Sequence, residues 1–261
     1  MVQRRSLPFD VKLMNLTATV VFALCWLMLL AAGGWWVLRQ PLFSLSAIRV
    51  DGDVVHNNAV TLNANVTPKL AGNFFTIDLQ AARAAFETVP WVRKAVVRRE
   101  FPNMLHVTLA EQQARAHWGD DAQSRLVNNF GEVFEANTAD VDDDLPHLDG
   151  PLDQAAQVYR MYQTLAPLFK PYGMVLDALT LSARGSWQAE LDSGAVIELG
   201  RGQGDEVAAR TRRFLRTLGQ VTSQYGRTVG SLESADLRHH DAYALRMRGI
   251  ATVATAESKK N

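Results

Sequence analysis

Apolar and polar positions alternate with several different periods along this chain, and one stretch has no polar face at all. Leu13–Leu38 reads LMNLTATVVFALCWLMLLAAGGWWVL, 26 residues without a formal charge. At about 1.5 Å of rise per residue, such a helix exceeds the roughly 30 Å hydrocarbon core of a bilayer. Only a helix satisfies its own backbone polar groups there, so the pattern predicts one membrane-spanning helix over 13–38. A cleaved secretory signal is the competing reading, with Ala31-Ala32-Gly33-Gly34 as small residues near its end. The apolar part of a signal is normally only about 7–15 residues, so the length favours a retained anchor. Arg4, Arg5 and Lys12 precede the helix against Asp10, and Arg39 alone follows it closely. Counting Lys and Arg keeps residues 1–12 in the cytoplasm and puts Trp35 and Trp36 at the far interface. Asn15, Thr17 and Thr19 lie near the cytoplasmic end, where they are tolerated and available to a partner helix.

Beyond the anchor the periods shorten. Leu45–Val50 alternates as a short strand ended by Asp51-Gly52. Thr67-Pro68 reads as a cap with proline in the first turn, opening a brief helix through Leu70 that Gly72-Asn73 stops. Asp78 caps a second helix, Leu79–Thr88, with Leu79, Ala82 and Phe86 at helical spacing, and Pro90 blocks its continuation. Val92, Ala95 and Val97 mark a strand, Pro102-Asn103 a turn, and Leu105–Leu109 an alternating partner strand. The expected first domain, residues 43–118, is thus a small β-α-α-β-β unit.

Residues 119–249 form the expected second domain. Leu126–Phe134 reads as two short strands about Gly131, and Leu145–Pro151 is extended. Gln154–Phe169 carries Ala155, Val158, Tyr159, Tyr162 and Leu165 as an apolar helical stripe. Trp187, Ala189 and Leu191 run into Asp192-Ser193-Gly194 and return through Val196, Ile197 and Leu199, a hairpin. A second amphipathic helix spans 206–225, and Ala235–Met247 is strand-like throughout. The fold class is α+β: a membrane helix, a small mixed unit, then a mainly antiparallel curved sheet with helices on one face. The tail, 250–261, is small and polar and expected to be disordered.

Composition removes several functions. With 27 basic and 27 acidic residues the chain carries no net charge, and past its first twelve residues 24 basic residues stand against 26 acidic, so nucleic acid is not an expected partner. The one cysteine, Cys25, lies in the membrane helix, leaving the exported part without disulfides or a thiol nucleophile.

Three stretches invite site chemistry and fail its requirements. Leu199-Gly200-Arg201-Gly202-Gln203-Gly204-Asp205 has Asp205 where a dinucleotide loop needs glycine, and its strand belongs to a hairpin. His239-His240-Asp241 sets neighbouring histidines on opposite faces of a strand, where they rarely chelate one ion. The acidic run Asp140–Asp144 lacks the glycine and glutamate of a calcium loop. No nucleophile elbow or S-x-x-K pair occurs in the exported part, so the expectation is no enzyme, no metal and no cofactor.

Three consecutive pieces carry a family resemblance. They are Gly72-Asn73-Phe74-Phe75-Thr76-Ile77-Asp78-Leu79, then Pro90-Trp91-Val92-Arg93-Lys94-Ala95-Val96-Val97-Arg98-Arg99, then Phe101-Pro102-Asn103-Met104-Leu105. Together they resemble the POTRA domain of the FtsQ/DivIB cell-division family. Leu199-Gly200-Arg201 and Ala235-Asp236-Leu237-Arg238 resemble that family's second domain. The chain departs from the pattern at Gln113, where proline is usual, at His239, where tyrosine is usual, and at Asp241-Ala242, where a turn containing glycine is common.

The resemblance implies a non-enzymatic, single-pass scaffold in the bacterial inner membrane at the division septum. It would bind FtsB, within an FtsB/FtsL complex, by strand addition at its last strand, and other division proteins through the POTRA unit. The implied contact residues are Arg184, His239, Asp241, Ala242, Tyr243, Ala244, Leu245, Arg246 and Met247. Independently of the resemblance, Tyr243–Arg248 puts Tyr, Leu and Met on one face and Ala and two Arg on the other, the pattern of a guarded sheet edge. A free edge is also a template for a partner's strand. The alternative class is a POTRA-containing export or outer-membrane assembly factor, which normally carries several such units and a barrel.

Overall fold

The computed structural model describes residues 9–38, 40, 43–52, 55–56, 62, 66–119, 124–141, 144–239 and 242–249. Expectations for the N-terminal eight residues, Arg39, Asp142-Asp143, His240-Asp241 and the tail 250–261 fall outside them. The chain divides into two compact units, Met1–Glu111 and Gln112–Asn261.

The first unit opens with helix α1, Phe9–Leu38, which starts slightly before the expected Leu13. Its Leu13–Val37 stretch has a mean hydropathy of 2.2, long and apolar enough to cross a membrane, and none of it packs inside the protein. Thr17 Oγ1 donates to Met14 O at 2.9 Å and Thr19 Oγ1 to Asn15 O at 2.7 Å. Both hydroxyls are thus satisfied within the helix, as an apolar medium requires.

Strand β1 (Ala47–Gly52), helix α2 (Leu79–Glu87) and strands β2 (Val92–Glu100) and β3 (Met104–Glu111) complete this unit. β3 is central: β1 runs parallel to it from Ala47↔Met104 to Gly52↔Leu109, and β2 runs antiparallel. Asp78 caps α2 by accepting from the Gln80 and Ala81 amides at 2.8 and 3.2 Å. Phe86 and Ala85 then join Ala95, Leu105, Val107 and Leu109 in one apolar core. The brief helix expected at Thr67-Pro68 is a 3-10 turn, Thr67–Lys69, with Pro68 in its first turn, and its cap is Val66 rather than Thr67. Gly52 has φ +114°, and a Cβ there would lie 2.2 Å from Leu109 O, which is why glycine ends this strand.

The second unit holds β4 (Ala114–Trp118), β5 (Arg125–Asn128), β6 (Val133–Glu135), β7 (His147–Asp149), helix α3 (Ala155–Phe169), β8 (Leu176–Leu181), β9 (Ser186–Leu191), β10 (Val196–Arg201), helix α4 (Gly204–Gln224), β11 (Leu232–Asp236) and β12 (Ala244–Met247). All nine strands join one sheet, ordered β12-β11-β10-β9-β8-β7-β4-β5-β6. Two sequence expectations change here. Ala114–Trp118, assigned to the first domain, pairs with β5 and β7 and so belongs to the second unit's sheet. Ala235–Met247 is not one strand but parts of two antiparallel ones, because the chain turns back after Asp236.

The sheet is mixed: β4 runs parallel to β7, β7 to β8, and β10 to β11, while the remaining pairs are antiparallel. One register row crosses it, Trp118–Leu148–Leu179–Ala189–Ile197–Ala235–Leu245. Every member except the terminal Leu245 is buried, and α3 and α4 pack over strands of this row. The next row, Asp149–Thr180–Gln188–Glu198–Asp236–Ala244, is polar and only partly buried or exposed. The sheet thus has one covered face and one open face, as a period of two dictates. α3 buries Met161 as well as the expected stripe and leaves Tyr162 half-buried. Burial, with Asp177 nearby, pushes the Tyr162 phenol above its ordinary pKa.

Candidate partner-binding edge

β12 is the terminal strand of the sheet, so among the described residues one of its hydrogen-bonding edges has no strand beside it. Its pairing with β11 runs Asp236↔Ala244, Ala235↔Leu245, Ser234↔Arg246 and Leu232↔Met247, with an irregularity between Leu232 and Ser234. Arg248 N–H extends the ladder to Ser231 O at 2.8 Å. Met247 is 8% exposed and belongs to the core, whereas Ala244 and Arg246 point out. Arg246 Nε approaches Glu233 Oε1 at 3.3 Å across the pair, a solvated contact of small energetic weight.

The approach to β12 is fixed from α4. Tyr243 OH lies 2.6 Å from Thr217 Oγ1, and its ring meets Phe214 edge to face with centroids 5.3 Å apart. Arg210, Arg213, Phe214 and Thr217 on α4 and Leu237, His239, Ala242 and Tyr243 line a groove of about 370 Å³. An adjoining cleft of about 520 Å³ is lined by Arg184, Arg201, Arg210 and Arg238 with Ser182, Ser186 and Gly200. Arg184 is exposed on the turn between β8 and β9. Arg210 donates to the carbonyls of Leu199 and Arg201, and Trp187 Nε1 donates to Gly202 O at 3.2 Å. The glycine-rich loop therefore offers its carbonyls to the protein itself, the opposite polarity to an anion-binding nest of amides.

Arg238 grips Asp236, with Nε at 2.9 and 3.0 Å from the two carboxylate oxygens. This hydrogen bonding outweighs the opposing burial and lowers the Asp236 carboxyl from 3.8 to about 2. Asp236 Oδ1 also accepts the Arg238 amide at 3.0 Å, while Leu237 N–H reaches across to Glu198 O at 2.8 Å. The turn leading toward β12 is thereby fixed at its start.

The expected site residues fall into three places. His239, Ala242 and Tyr243 share the groove, Arg184 lies in the adjoining cleft with Arg210 common to both, and Ala244–Met247 form the edge strand itself. Asp241 lies outside the described residues. Sequence reasoning overlooked Arg210, Phe214 and Thr217, although their i, i+4, i+7 spacing puts them on one helix face. Chemically the region offers a strand edge unpaired among the described residues, an apolar wall, and guanidinium groups suited to carboxylates. Among the described residues, no group of three or more His, Cys, Asp or Glu is placed to hold a metal ion.

The comparisons with known proteins agree with this layout. Residues 43–112 match the model of the POTRA domain, FtsQ-type, and residues 116–238 match that of cell division protein FtsQ/DivIB, C-terminal. A cell division protein FtsQ from Burkholderia pseudomallei is 41% identical over 252 residues, covering 96% of this chain and 98% of that protein. One from Thiomonas arsenitoxydans is 37% identical, covering 94% and 90% of the two chains, and one from Bordetella pertussis is 36% identical, covering 96% of each. With both domain models matched in order and relatives aligned along nearly the whole length, the chain belongs to the FtsQ/DivIB family of cell-division proteins.

Proposed function

We propose that this membrane-anchored division protein is a non-enzymatic scaffold that captures an FtsB-like subunit of an FtsB/FtsL complex by strand addition to β12. The observation that carries the reading is the free edge of β12 beside the groove formed with α4. Backbone bonds along an added strand supply affinity, and side-chain pockets supply choice. Tyr243 and Leu245 anchor the edge to the core, His239 and Ala242 line the entry, and Arg184 presents a cation to a partner's acid. Ala244 and Arg246 flank the seam on the open face, and Met247 holds the strand down from within. Asp241 belongs to the same stretch. The anchor lies in the bacterial inner membrane with its N-terminus in the cytoplasm and the chain beyond α1 in the periplasm, concentrated at the septum. The POTRA unit meets other division proteins there.

Replacing Tyr243 or Leu245 with aspartate should abolish co-purification of the FtsB-like partner, with far-UV circular dichroism confirming a folded domain. Arg184→Glu should weaken capture and be restored by reversing an acid on the partner. Capture retained in both aspartate variants would sink the edge-strand assignment.

A further inference from the structure

The first unit exposes aromatic rings at the place where the chain reaches it from α1. Phe101 is 77% exposed and Phe75 45%. They belong to one edge-to-face series: Phe43–Phe75 at 5.0 Å between centroids, Phe74–Phe75 at 5.2 Å and Phe74–Phe101 at 6.4 Å. Phe74 is buried and Phe43 half-buried. A single exposed phenylalanine is ordinary on a protein surface. Here the presentation is rigid. Asn73 Oδ1 accepts the Phe75 and Thr76 amides, each at 3.0 Å, and Arg99 donates to Phe74 O at 2.7 Å and Ile77 O at 2.8 Å. These bonds hold the backbone that carries the Phe74 and Phe75 rings.

Position adds a second, independent observation. Phe74 N–H donates to Phe43 O at 2.9 Å, and Ser46 N–H donates to Asn103 O at 3.0 Å. Both aromatic turns are therefore pinned to the segment just after α1. At roughly 3.6 Å per residue, the chain from Leu38 to Phe43 spans no more than about 18 Å. The headgroup zone extends roughly 5–8 Å beyond each side of the hydrocarbon core, and aromatic rings settle there.

We propose that Phe43, Phe75 and Phe101 form a seat that rests in the headgroup zone of the bilayer that α1 crosses, holding the first unit against lipid. The inference rests on α1 remaining in that bilayer, which the experiment checks separately. Full-length chain is reconstituted in phosphatidylethanolamine–phosphatidylglycerol vesicles with a nitroxide at one site: native Cys25, or Phe101→Cys or Tyr225→Cys on a Cys25→Ala background. Relaxation by oxygen, which partitions into lipid, is compared with relaxation by a water-soluble nickel chelate. The expected result is a lipid signature at Cys25, an oxygen-to-nickel ratio severalfold higher at position 101 than at 225, and loss of that excess when Phe43→Ser and Phe75→Ser are added. A lipid signature at Cys25 with an aqueous one at 101, or an excess at 101 that survives the two serines, overturns the seat and leaves the anchor standing. An aqueous Cys25 overturns the anchor and the seat with it.

Discussion

Asp236 shows how a single side chain decides the shape of the candidate edge. Asp236 and Arg238 lie two apart, the spacing of neighbours on one face of a strand, so sequence alone favours a continued strand. Asp236 Oδ1 instead accepts the Arg238 amide, a local bond that competes with ladder pairing, and the chain turns. The Asp236 carboxyl is lowered to about 2, so its stabilisation is complete above the unfolded value near 4 and is lost as pH falls toward 2. Because Arg238 is largely solvated, the contribution is small. Asp236→Asn should therefore lower the urea midpoint at pH 7 slightly and make the decline between about pH 4 and 2 shallower. An acid limb identical to the parent's would show that the Arg238 contact adds no stability. Tyr243 and Leu245 were legible as inward-facing residues, but Thr217 and Phe214 became visible only once α4 was placed over the sheet.

At the scale of elements, legibility followed local signals. α2 was readable because its cap, apolar stripe and proline stop all lie within a short stretch. Asp78→Ala should leave the Gln80 and Ala81 amides without that acceptor and cost about 1 kcal/mol, measured as a lower thermal midpoint of the full chain. A midpoint within error of the parent would mean that water caps the helix equally well. The parallel pairings were not legible. β7 is only His147–Asp149, too short for a period, and its neighbours β4 and β8 are set by register between distant segments. The same non-local pairing drew Ala114–Trp118 out of the expected first domain: its apolar alternation fits either sheet, and only the partner strands decide.

At the scale of the whole molecule, the anchor and the two units follow one another in the order that the sequence suggested, and the family models match in that order. A fluorescent fusion of the full chain should gather at midcell in dividing cells, and the Tyr243→Asp variant should still gather there while failing to retain the proposed FtsB-like partner. Uniform envelope fluorescence of the parent fusion would count against the septal assignment.

The strand order carries one more consequence. From β7 to β12 each strand lies beside the one made just before it, so the sheet grows toward β12 as the polypeptide is synthesised. The edge proposed for docking is the last piece of the sheet to emerge. A chain cut short by a stalled ribosome or a protease ends its sheet at an inner strand and lacks the docking edge. On the proposed reading, capture through β12 selects molecules whose sheet is complete through Met247, a form of quality control written into the order of translation.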